Sequence, residues 1–160
     1  MKTLNNIKKI WGAALIGIAS FMLQGCQEAA QKGDGLLMTG TSSDRLVKFA
    51  IDGFPSAYDV SVTSTSRVES DIQVNLAVDA RLVDTYNEEM GTNYYPIPDK
   101  SYTFENPEVT ISAGQAISSA ASLSIADDSE FVPGRVYLVP VTIKSATGAL
   151  DIIEAGRTIF

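Results

Sequence analysis

The chain is 160 residues long, with 12 basic and 19 acidic side chains, a formal charge of −7, 45% apolar residues, one cysteine and no histidine. That length and balance suit one globular domain plus a targeting segment, while the missing histidine removes the Ser-His-Asp and Cys-His nucleophile systems and the usual zinc sites. The single cysteine forbids an intrachain disulfide, no cofactor is expected, and the acidic balance makes nucleic acid a poor partner because it repels phosphate.

Residues 1–25 read as a signal peptide. A basic start carrying Lys2, Lys8 and Lys9 is followed by an apolar run from Ile10 to Leu23 that includes the lone Trp11. The run falls short of the roughly 20 apolar residues a membrane span needs. Without those three lysines, 9 basic residues face 19 acidic ones. Leu23-Gln24-Gly25-Cys26 resembles the lipobox of bacterial lipoproteins. The resemblance implies a diacylglyceryl group on Cys26, cleavage before it and acylation, as with palmitate, of the new amino terminus. Several acyl chains, at about 0.8 kcal/mol per buried methylene, hold a protein to a membrane permanently. Gln27 rather than aspartate after the cysteine resembles lipoproteins sorted to the outer membrane. The cell surface is the expected side, with Glu28 alone standing for the acidic cluster of surface-displayed lipoproteins. Residues 26–44 are rich in Gly, Ser, Thr, Ala and Gln, the composition of a flexible tether.

From residue 45 the apolar period becomes two. Val47, Phe49 and Ile51 alternate with Lys48 and Ala50; Tyr58, Val60 and Val62 with polar residues; Ile72, Val74, Leu76 and Val78 with Gln73 and Asn75. Three half-buried strands are predicted. One helix follows over 79–90, with Asp79 able to cap its first turn, Leu82, Val83, Tyr86 and Met90 on one face and Gly91 as the stop. A prolyl loop with Pro96 and Pro98 leads to short strands at Tyr102–Glu105 and Glu108–Ser112 and a third through Ala121, Leu123 and Ile125. Asp127-Asp128-Ser129-Glu130 makes an acidic loop. Arg135–Lys144 is the most strand-like run, and Pro140, which cannot donate to a ladder, predicts an edge strand or a bulge there. Ile152, Ile153 and Arg157–Phe160 add one or two strands. Short strands with regular turns and no βαβ alternation predict a mainly β fold, an antiparallel sandwich over 45–160 with the helix inserted as a crossover.

Val74–Asp79, Tyr86–Tyr94 and Pro96-Ile97-Pro98, with Val109–Gln115 and Tyr137–Ile143 in the same order and spacing, are similar to the core of a family catalogued as a domain of unknown function. It stands at the N-terminus of many lipoproteins of gut-dwelling glycan degraders. The resemblance covers Arg45–Phe160 and implies an immunoglobulin-like antiparallel β-sandwich. It further implies a non-catalytic accessory module in glycan capture, since such domains precede endo-N-acetylglucosaminidase-type glycosidases and laminin-G-like or discoidin-like modules. No set of catalytic residues is carried over. Ending at Phe160 leaves open a domain that works alone or the N-terminal part of a longer glycosidase lipoprotein.

Among candidate sites, Tyr94-Tyr95 beside Pro96 and Pro98 is the first ligand-binding candidate, because aromatic rings stack on the apolar face of a sugar and prolines stiffen the loop that carries them. The same tyrosines could instead cover the core. Asp127–Glu130 offers oxygens but lacks the spaced ligands of a calcium loop, and adjacent Glu88 and Glu89 point about 100° apart on a helix, unlike a glycosidase pair. The lipidation site is Cys26. A structural spacer or protein-interaction domain of an envelope complex, meeting its partner through a sheet edge near Pro140 or through the terminal strand, is the alternative to glycan capture.

Overall fold

The computed structural model describes residues 34–160. The expected signal peptide, Trp11, Cys26 and the first part of the expected tether lie outside the described residues. Strand β1 (Gly35–Met38) corrects the tether reading. Its four residues sit in a polar, glycine-rich stretch, yet Leu36 and Met38 are 0% exposed and belong to the main core. Composition averaged over the whole stretch hid a short buried strand, and the folded unit starts about ten residues before Arg45.

The segment 45–51, predicted as the first strand, is not one. Its backbone is tied to the C-terminus, Val47 N–H donating to Phe160 O at 2.8 Å and Phe160 N–H to Arg45 O at 2.9 Å, and to a local turn through Arg45 N–H to Ser42 O at 3.1 Å. Alternation here reports one apolar face, not a hydrogen-bonded ladder. The next predicted strand is real but broken at Ser61 into β2 (Ser56–Val60) and β3 (Val62–Ser64). Val60 and Val62 are two positions apart, so both keep facing the core while β2 pairs with one sheet and β3 with another.

Strand β4 (Ile72–Val78) is followed by helix α1 (Leu82–Met90) and strand β5 (Tyr95–Pro96). Three strands come next: β6 (Tyr102–Glu105), β7 (Glu108–Ile111) and β8 (Ala121–Ile125). The chain closes with β9 (Tyr137–Leu138), β10 (Val141–Ala146), β11 (Asp151–Ile152) and β12 (Thr158–Ile159). The sheets run β12-β10-β4-β7, β2-β8-β6 and β11-β1-β3, with β5 and β9 as a small parallel pair. All pairings are antiparallel except β5 with β9 and β1 with β11. One core joins Val74 and Ile143 of the four-stranded sheet to Leu36 and Val62 of one three-stranded sheet and Val60 and Leu123 of the other, which makes the fold a β-sandwich with one helix.

The predicted strand Arg135–Lys144 is cut at Val139-Pro140. Proline supplies no N–H, so the ladder stops there and the chain changes sheets: β9 lies beside β5, and β10 goes between β4 and β12. Pro140 is therefore buried at a crossover rather than on an edge, its carbonyl accepting the Asp79 N–H at 3.0 Å. Directly after Pro140, β10 is paired on both sides, so the sheet edges near it are those of β9 and of the terminal strand β12.

Helix α1 begins three residues after Asp79. The Asp79 carboxylate accepts the Arg81 N–H at 3.3 Å but also binds the Arg81 guanidinium at 2.8 and 2.9 Å, so it anchors the approach to the helix instead of capping its first turn. Val83 and Tyr86 are buried as predicted, while Met90, at 44% exposed, lies off the packed face. Together with Leu138 and Phe160 the helix builds a second small core.

Candidate functional site

Gly91 closes α1 in the left-handed conformation, φ 65°, a position glycine occupies without the strain a Cβ would bring. The residue that shapes the next turn is Asn87. Its Oδ1 accepts the Tyr94 N–H and the Thr92 hydroxyl, both at 2.8 Å, and its Nδ2 donates to the Tyr94 carbonyl at 2.9 Å. One amide side chain thus takes both backbone groups of Tyr94 and holds the prolyl loop against the helix. Sequence reasoning passed over Asn87; its position seven residues before a tyrosine, across a glycine stop, was the available signal.

From this anchor the chain enters β5, fixed to β9 by Tyr95 N–H to Val136 O at 2.9 Å and Ile97 N–H to Leu138 O at 3.1 Å. Successive side chains of an extended segment point opposite ways, which separates the two tyrosines. Tyr94 turns inward and stacks on Tyr86, centroids 6.2 Å apart. Tyr95 turns outward, 6.2 Å from Tyr137, with the Arg135 guanidinium 4.2 Å above its ring, a cation–π arrangement. Tyr94 and Tyr95 do not form one platform.

The partners of Tyr95 come from some forty residues further along. Phe131 stacks on Tyr137 at 4.6 Å and 19°, and the Tyr137 hydroxyl accepts the Val132 N–H at 2.9 Å. The turn between them is closed by Phe131 N–H to Asp128 O at 2.8 Å and Arg135 N–H to Val132 O at 3.2 Å. The result is a row of half-buried rings, Tyr95, Tyr137 and Phe131, beside exposed Arg135 and Pro96. The acidic loop serves this turn: Asp127 Oδ1 accepts the Ser129 N–H at 2.9 Å and hydroxyl at 2.6 Å. The Ser129 hydroxyl bond is the main reason the Asp127 carboxyl is held below its ordinary pKa.

Beside the rings an apolar cavity of about 450 Å³ enters the sandwich. Val60, Leu123, Ile125, Val141 and Ile159 form its inner wall, and the 46–51 segment covers it from outside. Tyr94 lines it together with Phe131 and Tyr137. The helix side is fastened by the Tyr86 hydroxyl donating to Asp44 O at 3.2 Å and by Tyr86 against Phe160, centroids 4.4 Å apart. Burial is the first cause, and nearby Asp44 the second, of the raised Tyr86 pKa. Arg45, ion-paired with Glu89, lies 5.4 Å over the Phe160 ring.

Glu88 and Glu89 are exposed, and Glu89 is the partner of Arg45. Among the described residues no cluster of three or more His, Cys, Asp or Glu is placed to hold a metal ion. No helix of the described residues is long and apolar enough to cross a membrane.

A family model described as an N-terminal domain matches residues 33–150; its start coincides with the approach to β1. No curated protein matches the sequence. Among solved structures, a candidate carbohydrate-binding protein from Bacteroides ovatus is similar over 78% of this chain and 35% of its own, at 16% identity and TM-score 0.67. A two-domain protein from Bacteroides fragilis is similar over 79% of this chain and 43% of its own, at 17% identity and TM-score 0.59. EndoBT-3987 of Bacteroides thetaiotamicron, solved with a Man5GlcNAc product, is similar over 78% of this chain and 29% of its own, at 19% identity and TM-score 0.58. At these identities the likeness establishes a shared fold. The chain spans less than half the length of each of these proteins.

Proposed function

Because the chain belongs to the family of N-terminal domains whose model matches residues 33–150, we propose that it is a non-catalytic module in glycan capture, held to the outer membrane through lipid on Cys26 and facing the cell surface. The observation that carries this reading is the row Tyr95–Tyr137–Phe131 with Arg135 beside it. Rings present the apolar faces on which sugar C–H groups stack, and a guanidinium offers several donors in a fixed fork to hydroxyl oxygens. Both lie on segments tied by backbone hydrogen bonds, so little conformational entropy is lost when a ligand docks. Tyr94 supports the site from behind through Tyr86. Solved relatives of this fold include one named for carbohydrate binding and one solved with a Man5GlcNAc product, which favours oligosaccharides over other ligands.

The test is a glycan array probed with the full chain and with a Tyr95→Ala, Tyr137→Ala double variant of unchanged thermal melt. Binding by the wild type and its loss in the double variant is expected. A folded wild type that binds no glycan would remove the sugar reading and leave a spacer. Membrane attachment is followed separately, and Cys26→Ala is expected to abolish it.

A further inference from the structure

The half-open cavity of about 450 Å³ falls within the range of small-molecule sites, roughly 300–1,000 Å³. Its inner wall is aliphatic, and two of the few large apolar side chains that stand well out in solvent, Ile51 at 39% and Val136 at 52%, line it as well. An apolar path thus runs from the surface into the space between the sheets.

The charges at this cavity set it apart from the rest of the surface. Among the described residues Arg45, Arg81, Lys100, Lys144 and Arg157 each pair with a carboxylate, and Arg67 donates to the Gly114 carbonyl. Lys48 and Arg135 have no carboxylate of the described residues within 4.0 Å, and both line the cavity. On a chain with 19 acids, two cations outside any close ion pair beside one apolar cavity, Lys48 acting on Asp44 only at longer range, form a site complementary to an amphiphile with a negative head.

We propose that this cavity binds a free long-chain fatty acid, its acyl tail between the sheets and its carboxylate at Lys48 and Arg135. Each methylene moved from water into such a wall contributes about 0.8 kcal/mol. That makes the tail the source of affinity and the two cations the source of head-group choice. The cavity shares Phe131, Tyr137 and Arg135 with the ring surface, but the proposal rests on its apolar wall and its two cations and not on the glycan reading.

The probe is a photoreactive sixteen-carbon fatty acid with a diazirine near the tail end, added to membranes that carry the full chain, with the labelled peptides located by mass spectrometry. Label is expected in residues 46–51, 121–125 and 136–141, displaced by palmitate and displaced far less well by its methyl ester. A Lys48→Glu, Arg135→Glu variant, changed only at exposed side chains, is expected to label about fivefold less or lower still. Val141→Phe, which fills the inner wall, should abolish labelling; Ile51→Trp at the rim gives the same reading if the core variant does not fold. Label spread along the chain, or label indifferent to the charge reversal and to both filling variants, would overturn the proposal.

Discussion

Asn87 shows how a single uncharged side chain sets the geometry of a surface. It satisfies the N–H and C=O of Tyr94 and the Thr92 hydroxyl at once, so Asn87→Ala leaves several groups without their protein partners. Lost hydrogen bonds of this kind cost about 1 kcal/mol each where water can replace them and more where it cannot. We expect a loss of about 2 kcal/mol in a denaturant titration, and with it a weakened Tyr95 surface, whereas Asn93→Ala, in the exposed loop, should leave stability within about 0.5 kcal/mol of wild type. Asp79 gives a pH signature. The hydrogen-bonded Arg81 guanidinium is the main cause, and Lys144 at 3.2 Å a further one, of a carboxyl held well below its ordinary value of 3.8. A depressed native pKa contributes stability that is present above the unfolded value and disappears as the pH falls. Part of the acid destabilisation below about pH 4 should therefore vanish in Asp79→Asn, seen as a shallower fall of the melting temperature between about pH 4 and pH 2.

At the scale of elements, periodicity revealed which side chains face inward but not which backbones pair. Strand β4 was legible because its alternation, its length and its burial agree. The 45–51 segment has the same alternation, yet its apolar residues cover a cavity and its backbone joins no strand, bonding Phe160 and the local turn at Ser42 instead. Tyr95 could be picked out beside its prolines, but Phe131, Arg135 and Tyr137 join it only through the parallel β5–β9 pairing, a contact across some forty residues that no local pattern encodes. Strand β1 was hidden in another way: it is held by close approach. A Cβ on Gly156 would come within 2.7 Å of Leu37 Cβ, and one on Gly35 within 2.6 Å of Ile153 Cγ1. Because Leu37 Cβ is fixed by its own backbone, Gly156→Ala must push β1 away from the C-terminal turn. A cost of about 1–3 kcal/mol is expected, against a near-neutral Gly53→Ala, whose Cβ would meet nothing within 4 Å; chemical denaturation of both variants separates the two.

For the whole molecule the decisive boundary is where the folded unit begins. Composition places it at Arg45, and the structure places it before Gly35. The difference is physical, because β1 contributes Leu36 and Met38 to the main core, runs antiparallel to β3 and parallel to β11, and so ties the start of the domain to its C-terminal region. Removing it would open a trench along the core and strip two strands of a neighbour. Each buried Leu or Met lost costs about 2–5 kcal/mol, and two of them together approach the 5–15 kcal/mol that holds a domain folded. A chain starting at Asp34 is expected to melt cooperatively near the temperature of the full chain, and one starting at Arg45 to lack a cooperative transition and to expose apolar surface to a dye such as ANS. If the shorter chain melted as sharply and as high as the longer one, β1 would be an ornament on a sandwich that begins at Arg45. The aromatic row, which stands on β5 and β9 away from β1, could then be studied on that smaller unit.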